Sequence, residues 1–236
     1  MNKKIGLNLL FFTVLALLLS LSVWQWHRAD EKREFLKQQE QALQQETLQL
    51  SNIVEHNAEM LRYRTVKVTG HYDGSQQFLV DNQVNNGKVG FFVLTPFILQ
   101  GSTKAVLVNR GWVAANQDRR NLPDVNLKIT DTITITGRAN HFPPVGIKLK
   151  GAEIPTDTQP AVVQVVDSTV LARKLGYELF NFQVELNPDE ANGFKREWHT
   201  ASIMPPEQHI AYSLQWLGLA ITWVVLFTVF RIKKIL

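Results

Sequence analysis

Two uncharged stretches, one near each end, decide the architecture of this 236-residue chain. The first covers residues 5–26 and reads IGLNLLFFTVLALLLSLSVWQW. The second covers residues 210–230 and reads IAYSLQWLGLAITWVVLFTVF. A helix of roughly 20 apolar residues crosses the hydrocarbon core of a bilayer, which is about 30 Å thick. The sequence therefore predicts two transmembrane helices.

The first stretch has a second interpretation, as a secretory signal peptide, because Lys3 and Lys4 precede an apolar run. The residues at its end, SVWQWHR at 22–28, contain no small-x-small cleavage site. We therefore expect an uncleaved membrane anchor.

Basic residues at the outer flanks of both stretches set the expected orientation. They are Lys3, Lys4, Arg231, Lys233 and Lys234. Because cytoplasmic flanks are enriched in Lys and Arg, we expect both tails, 1–4 and 231–236, in the cytoplasm and the main domain in the periplasm. Basic residues also follow the first stretch, but long segments translocate largely regardless of charge. The short N-terminus, without a basic, Ser-rich presequence, favours the inner membrane of a bacterium over an imported mitochondrial protein.

The composition excludes several classes of protein. Of the 25 Lys and Arg residues, five lie at the termini, which leaves 20 basic against 21 acidic residues elsewhere. A nucleic-acid-binding domain needs a basic patch on its folded part, so no nucleic-acid partner is expected. The chain has no cysteine, which excludes disulfides, thiolate metal sites, cysteine nucleophiles and covalent c-type haem attachment.

The segment 27–61 is rich in Gln, Glu, Leu and Ala, which predicts a helical extension of the first span. Three leucines recur there at seven-residue intervals: Leu36, Leu43 and Leu50. They predict an apolar stripe that packs on the rest of the domain. A dimeric coiled coil is the alternative, although Glu40 and Thr47 lie at its other core positions.

Residues 62–209 change to short alternating or β-branched runs separated by turn residues. The predicted strands cover 63–69, 78–80, 91–99, 105–109, 132–136, 162–166 and 182–186. Asp167 or Ser168 is expected to cap a short helix that ends at Gly176. The predicted fold is an α+β membrane protein, in which two transmembrane helices flank a mostly antiparallel β extracytoplasmic domain with one short helix.

The sequence contains no recognisable catalytic motif. It has no Gly-rich phosphate loop, HExxH or GxSxG, and its six histidines lack metal-ligand spacing. An extracytoplasmic enzyme on a two-span anchor is therefore the least favoured function.

The residues that point to chemistry lie where the two spans reach the outer membrane face, WQWHR at 24–28 and QHIAYSLQW at 208–216. One helix face of the second span is predicted to carry His209, Tyr212, Ser213, Trp216 and Ala220. A histidine at a bilayer boundary beside aromatic residues can ligate a planar cofactor such as haem, and Arg28 could bind a propionate. The alternative is an interfacial aromatic belt with a solvated or hydrogen-bonded histidine.

Five motifs follow one another along the chain. They are LSVWQWHR at 21–28, VTGHY at 68–72, GFFVLTP at 90–96, VLVNRGW at 106–112 and HIAYSLQW at 209–216. In this order they resemble the surfeit locus protein 1 family of cytochrome c oxidase assembly factors, which has Gly in place of Ser22. The NRGW run and the terminal HxxYxxQW are specific to the family, whereas the resemblance between residues 138 and 205 is loose.

The resemblance implies a function. Members of the family help to mature the core subunit of haem-copper oxidases by handling haem a, so the implied cofactor is haem a and the implied partner is oxidase subunit I. Haem a synthase, other oxidase assembly factors and membrane lipid are further expected partners. By motif, His209 corresponds to the histidine associated with haem in bacterial members. The predicted cofactor-binding residues are His209, as ligand of the haem iron, with Trp24, Gln25, Arg28, Tyr212 and Trp216.

The NRGW run has two interpretations. In the structural one, a strand is followed by a turn that glycine permits and by a tryptophan that fills the core of the sheet. In the functional one, Asn109, Arg110 and Trp112 contact the cofactor or oxidase subunit I. The structural interpretation is favoured, because Asn-x-Gly at the end of a strand is ordinary turn chemistry.

Two functions compete on this sequence. The first is an assembly factor that binds haem a and assists its insertion into oxidase subunit I. The alternative is a haem-independent membrane scaffold or chaperone for oxidase subunits, in which His209 is a structural hydrogen-bonding residue.

Overall fold

The computed structural model describes residues 3–50, 58–198 and 204–233. Residues 51–57, part of the predicted helical extension, lie outside the described residues. The chain divides into two compact units, one formed by Met1–Gln38 with Thr200–Leu236 and the other by Gln39–His199. The first unit is a pair of helices and the second is a β-rich domain.

The helical unit is built from α4 (Pro206–Ile232) and most of α1 (Lys3–Gln44), whose residues 39–44 belong to the second unit. Both contain stretches that are long and apolar enough to cross a membrane. Only 11% of each apolar window is buried, in contrast to the core helix of a soluble domain. The side chains outside the helix–helix contact are therefore mostly exposed.

The β-rich unit contains eight strands and two short helices in its described part. The strands are β1 (Leu48–Gln49), β2 (Thr65–Tyr72), β3 (Phe78–Asn85), β4 (Lys88–Leu99), β5 (Ala105–Ala114), β6 (Ile133–Asn140), β7 (Ala161–Val163) and β8 (Leu179–Leu186). The helices are α2 (Ala58–Leu61) and α3 (Ser168–Leu175). The strands form one sheet in the order β1-β2-β6-β8-β5-β4-β3-β7.

Five of these strands close into a barrel-like ring, because β4 pairs not only with β5 but also with β2. The closing pair includes Gly70 and Leu99. A Cβ atom on Gly70 would collide with the carbonyl oxygen of Ile98, so only glycine permits this approach. Each strand of the ring contributes an apolar side chain to one core cluster, for example Val66, Phe97, Val106, Ala139 and Val184.

The predicted architecture, a β-rich domain between two long apolar helices, is confirmed. Most strand pairs are antiparallel, but β1–β2, β3–β7 and β5–β8 are parallel. The predicted short helix is α3, and its caps are those expected. Asp167 accepts hydrogen bonds from the backbone N–H groups of Thr169 and Val170, and Gly176 ends the helix with a φ of 79°. The helix α2 is additional to the single short helix predicted.

The helical extension predicted over 27–61 is wrong at residues 45–50, after α1 ends at Gln44, whereas Ala58–Leu61 are helical and form α2. Leu48 pairs with Val66 in a parallel ladder, and Leu50 is buried in the core of the β domain. Leu48 and Leu50 are apolar residues two positions apart, a spacing that favours a strand over a helix. The strand β2 and the core of the β domain supply the surface on which they pack. Leu50 is therefore not part of the helical stripe predicted with Leu36 and Leu43.

Candidate functional site

The two helices of the first unit meet through polar side chains at Gln25 and His209. The Nδ1 atom of His209 lies 2.8 Å from Oε1 of Gln25. The helix α4 begins at Pro206, a favourable first residue because the N–H that proline lacks would not be hydrogen-bonded within the helix. His209 therefore lies in the first turn of α4. The imidazole is 7% exposed.

The hydrogen bond to Gln25 fixes the tautomer of His209. Because an amide oxygen only accepts hydrogen bonds, Nδ1 carries the hydrogen and donates it to Gln25. In the neutral ring the lone pair is then on Nε2. No described residue forms a hydrogen bond with Nε2. Metal-ligating histidines commonly donate their second N–H to an oxygen in this way, which orients the ring.

About one turn deeper into the helix pair, Ser22 and Ser213 form a reciprocal contact. The Ser22 hydroxyl donates to the backbone oxygen of Ser213 at 3.0 Å, and the Ser213 hydroxyl donates to the backbone oxygen of Ser22 at 2.9 Å. Small residues let two membrane helices approach closely, and hydroxyls hydrogen-bond across the interface. Sequence reasoning missed this contact, although a serine at matching depth in each apolar span was a signal for it.

The opposite end of the helix pair is joined by aromatic and polar contacts. Phe11 stacks on Phe227 with ring centroids 3.9 Å apart. Arg231 Nη2 donates to Oδ1 of Asn8 at 2.8 Å. Between Asn8 and Gln25 the helix rises by about 26 Å, which is close to the bilayer core thickness of about 30 Å. The two polar contacts therefore lie at opposite ends of an apolar layer.

Two of the predicted aromatic site residues face outward. Trp24 is 56% exposed and Tyr212 is 44% exposed. Trp216, two turns after His209 on the same helix face, is half-buried. The face of α4 predicted to hold Tyr212 and Trp216 with His209 is thus split between the helix interface and the outer surface.

The remaining predicted residue, Arg28, pairs with its own helix. Its Nη1 atom lies 2.6 Å from Oε2 of Glu31, and both side chains are at least half-exposed. An exposed pair of this kind contributes little to stability, so the guanidinium can exchange partners at low cost.

The donor set suits haem rather than a bare metal ion. The described residues contain no group of three or more His, Cys, Asp or Glu side chains that could hold an ion. Haem brings four nitrogen ligands of its own, so one histidine is enough to bind its iron axially. His209, with its ring held through Nδ1, fits that role.

The NRGW run lies on β5 inside the β domain. Asn109 donates to a side chain on β8, and Trp112 donates to a backbone oxygen on β3. Gly111 has a φ of 113°, and a Cβ atom there would lie 2.7 Å from the carbonyl oxygen of Lys195. The position therefore requires glycine. The turn expected by the structural interpretation is wrong, because β5 continues through Gly111 to Ala114, whereas the required glycine and the buried tryptophan agree with that interpretation.

Arg110 is a buried guanidinium, 3% exposed, whose hydrogen bonds all end on neutral acceptors. Its Nη1 donates to Gln77 Oε1 at 2.8 Å, to Thr95 Oγ1 at 3.4 Å and to the backbone oxygen of Val125 at 3.0 Å. Its Nε donates to the backbone oxygen of Asn192 at 2.8 Å. Burial lowers the pKa of the guanidinium, because a low dielectric disfavours the charged form. Arg110 thus holds together segments that are distant in sequence.

Sequence reasoning also missed a buried ion pair in the β domain. Arg138 Nη2 lies 2.6 Å from Oε2 of Glu185, and Asn140 donates to the other carboxylate oxygen at 2.9 Å. The pair lines a cavity of about 190 Å³ together with Thr65 and Trp198. Arg138 and Glu185 are cross-strand partners on β6 and β8, so their opposite charges become a signal once the strand pairing is known.

Comparisons with known proteins identify related chains. The sequence profile of a family described as the SURF1 family matches residues 12–221. A SURF1-like protein of Rickettsia felis is 26% identical over 233 residues, which cover 95% of this chain and 96% of the relative. The cytochrome oxidase assembly protein SHY1 of Saccharomyces cerevisiae is 32% identical over 130 residues, which cover 53% of this chain and 33% of SHY1. The segment matched by the family profile contains both Gln25 and His209.

Proposed function

Because the chain belongs to the SURF1 family, we propose that it is an assembly factor for haem-copper (cytochrome c) oxidase that binds haem a and assists its insertion into subunit I. The family resemblance predicted from the five motifs is confirmed by the profile match. The name of the yeast relative supports the role in oxidase assembly. The contact between His209 and Gln25 supports the haem-binding part of the proposal.

The proposed location is the inner membrane of a bacterium, with both termini in the cytoplasm and the β domain in the periplasm. The contact between Asn8 and Arg231 supports termini on one side, because it joins the start of α1 to the end of α4. Both of these helix ends carry the basic residues that favour the cytoplasmic face. The contact between Gln25 and His209 then lies at the periplasmic boundary.

The single observation that carries the haem proposal is that only one of the two ring nitrogens of His209 forms a hydrogen bond with a described residue. Its Nδ1–H is held by Gln25, and no described residue bonds Nε2. Nε2 is not one of the fully buried atoms that lack a partner, so a ligand can reach it. Haem a, when bound, would supply an iron that Nε2 of His209 would ligate.

The other residues have supporting roles in this proposal. Gln25 orients the imidazole, and Trp216 offers an apolar surface on the same helix face. Arg28 is free to exchange Glu31 for a cofactor carboxylate, since the pair is exposed. Trp24 and Tyr212 lie on outer helix surfaces, where they can contact the cofactor, lipid or oxidase subunit I.

The test is an absorption spectrum of the detergent-purified full chain, produced in cells that synthesise haem a. The wild type is compared with His209→Ala and with His27→Ala, a control that removes an exposed histidine two residues after Gln25 on α1. We expect a Soret band with near-stoichiometric haem a in the wild type and the control, and its loss in His209→Ala.

Other outcomes would change the proposal in definite ways. A band that survives in His209→Ala would retain the cofactor and reject His209 as its essential ligand. Absence of haem from all three proteins, with oxidase subunits still co-purifying, would favour the haem-independent scaffold.

A further inference from the structure

The loop between β6 and β7 exposes a group of aliphatic side chains on the β domain. Ile147 is 82% exposed, Ile154 67% and Leu149 63%, and Val145 is also exposed. Leu149 and Ile154 line one surface depression, whereas Val145 and Ile147 line a second one. Because Asp81 and Gln164 border both depressions, the four aliphatic residues belong to one surface. We call residues 145–154 the aliphatic loop.

The aliphatic loop is held in shape by backbone hydrogen bonds. The N–H of Ala152 donates to the oxygen of Leu149, and the N–H of Ile154 donates to the oxygen of Gly151. The oxygen of Ala152 accepts from the N–H groups of Gln164 and Val165, which fastens the loop to the strand region. The exposed side chains are therefore presented from an ordered backbone, and less conformational entropy is lost when they become covered.

Lysines alternate with the exposed aliphatic residues in the sequence Ile147-Lys148-Leu149-Lys150. Lys148 lies 3.8 Å from Glu153, and the lysine is half-exposed. Lys150 is exposed and forms no ion pair with any described residue. The aliphatic loop thus combines apolar side chains with a net positive charge.

We propose that the aliphatic loop docks on an anionic lipid leaflet, with Ile147, Leu149 and Ile154 at the acyl boundary and Lys148 and Lys150 among the headgroups. Interfacial protein segments combine these two kinds of side chain, and their apolar residues enter the headgroup boundary by about 5–10 Å. The β domain continues at both ends into helices that are long and apolar enough to cross a membrane. The β domain is therefore tethered at both ends, and docking has the advantage of an intramolecular event.

The composition of the loop favours lipid over a protein partner. The cores of protein–protein interfaces are depleted in lysine and enriched in aromatic residues, methionine and arginine. The aliphatic loop has two lysines among its exposed side chains and has no aromatic, methionine or arginine residue. Aliphatic residues and lysines are instead the pair that suits the boundary between acyl chains and anionic headgroups.

The test uses the full chain in lipid nanodiscs and a nitroxide label at residue 147. Since the chain has no cysteine, Ile147→Cys provides a unique attachment point. Thr103→Cys is the matched control, an exposed residue between β4 and β5 of the same domain. Oxygen, which concentrates in lipid, and a water-soluble nickel chelate are the two relaxation agents. The nanodiscs contain phosphatidylcholine alone or with phosphatidylglycerol.

We expect the label at 147 to be more accessible to oxygen than to nickel in the anionic nanodiscs, and the label at 103 to show the reverse. Replacing Lys148 and Lys150 with Gln should lower the docked-to-free ratio by about fivefold for each lysine, because each contributes on the order of 1 kcal/mol near an anionic surface. Phosphatidylcholine alone should weaken docking in the same direction.

A label at 147 as exposed to nickel as the label at 103, in both lipid mixtures, would overturn the proposal. Spin–spin coupling between labelled chains would assign the surface to a second copy instead. If the label at 147 is protected from both agents only when oxidase subunits are added, the aliphatic loop would be assigned to a protein partner. The proposal rests on the membrane anchoring proposed above, and failure of the chain to enter nanodiscs at all would count against that anchoring. An aqueous label in an incorporated chain would count against the docking.

Discussion

Arg110 in the β domain and His209 in the helix pair are both buried polar residues of distinctive motifs, but they use their hydrogen-bonding capacity differently. Arg110 donates to four acceptors of its own domain. His209 makes one hydrogen bond, to Gln25, and Nε2 is left without one among the described residues. The first arrangement completes a fold, whereas the second leaves a ligand atom that is oriented and available.

The comparison shows why motif membership alone does not identify a binding residue. A buried group whose partners are all internal contributes to stability, since removing it leaves those partners unsatisfied. His209 instead has a ring nitrogen that no described residue bonds, so its substitution should change ligand binding more than stability. Substitution of Arg110 should therefore lower the stability of the β domain, whereas substitution of His209 should lower the affinity for haem.

The largest effect is expected for Arg110→Met, which keeps the length of the side chain and removes its donors. Four buried or partly buried acceptors would each lose a hydrogen bond, although Gln77 Oε1 would keep the one from Thr95. We expect a loss of about 4 kcal/mol in the free energy of unfolding of the β domain. For a domain of this size the melting temperature should fall by about 12 °C, as measured by near-ultraviolet circular dichroism of the detergent-solubilised chain.

Arg119→Met is the matched control for that variant. The guanidinium of Arg119 is half-exposed and pairs with Asp81 at 3.1 Å, so its removal should cost less than about 1 kcal/mol. An unchanged melting temperature in Arg110→Met, with loss of the haem band, would reverse the comparison and make Arg110 a functional residue.

The second effect concerns the oxygen that orients His209. Gln25→Leu should weaken haem a binding by about tenfold to a hundredfold, the range typical of groups that orient a metal-ligating histidine. Gln25→Glu retains an acceptor for Nδ1–H and should restore most of the affinity with a shifted Soret band. Titration of the purified chain with haem a, followed by absorption, measures both.

Gln208→Leu is the control for Gln25, because Gln208 is exposed and precedes His209 on the same helix. Equal losses in Gln25→Leu and Gln208→Leu would indicate a general disturbance of the helix ends. Equal losses in Gln25→Leu and Gln25→Glu would show that the hydrogen bond to Nδ1 does not orient the ligand.

Much of the fold could be predicted from the sequence because its signals are local. The two apolar stretches, the Asp167 cap and the Gly176 stop each act within a few residues. The end of α1 at Gln44 could not be predicted, since Leu50 is drawn into a core formed by strands distant in sequence. The ring closure at Gly70 likewise depends on a strand pairing that a one-dimensional pattern does not contain.

For the candidate site, the depth of the residues could be predicted from the sequence, but the direction of their side chains could not. Counting along the spans predicts that Gln25 and His209 lie at one depth, because membrane thickness fixes helix length. This count does not predict how each helix is rotated about its own axis. Tyr212 therefore faces outward although it follows His209 by three residues, and Arg28 pairs with Glu31 although it follows Gln25 by three residues. Arginine is rarely buried without a carboxylate, so the interior position of Arg110 could not be predicted either.

The smallest effect is expected at Ser22 and Ser213, which hold the helices together beneath His209. Ser22→Ala and Ser213→Ala should each destabilise the helix pair by about 1 kcal/mol, because interhelical hydrogen bonds in membranes contribute roughly 0.6–1.7 kcal/mol. Titration with sodium dodecyl sulfate in mixed micelles measures the loss, and Ser20→Ala, a change at an exposed serine of the same span, is the control.

The double variant sharpens the comparison between stability and ligand binding. Each serine donates to the backbone of the other, and their hydroxyl oxygens lie 3.1 Å apart, so the two losses should not be additive. If the serine pair sets the spacing of the helices, haem affinity should fall less than in Gln25→Leu, which removes the orienting oxygen itself. A greater fall in the double serine variant would mean that helix spacing, rather than the hydrogen bond to Nδ1, controls access to Nε2.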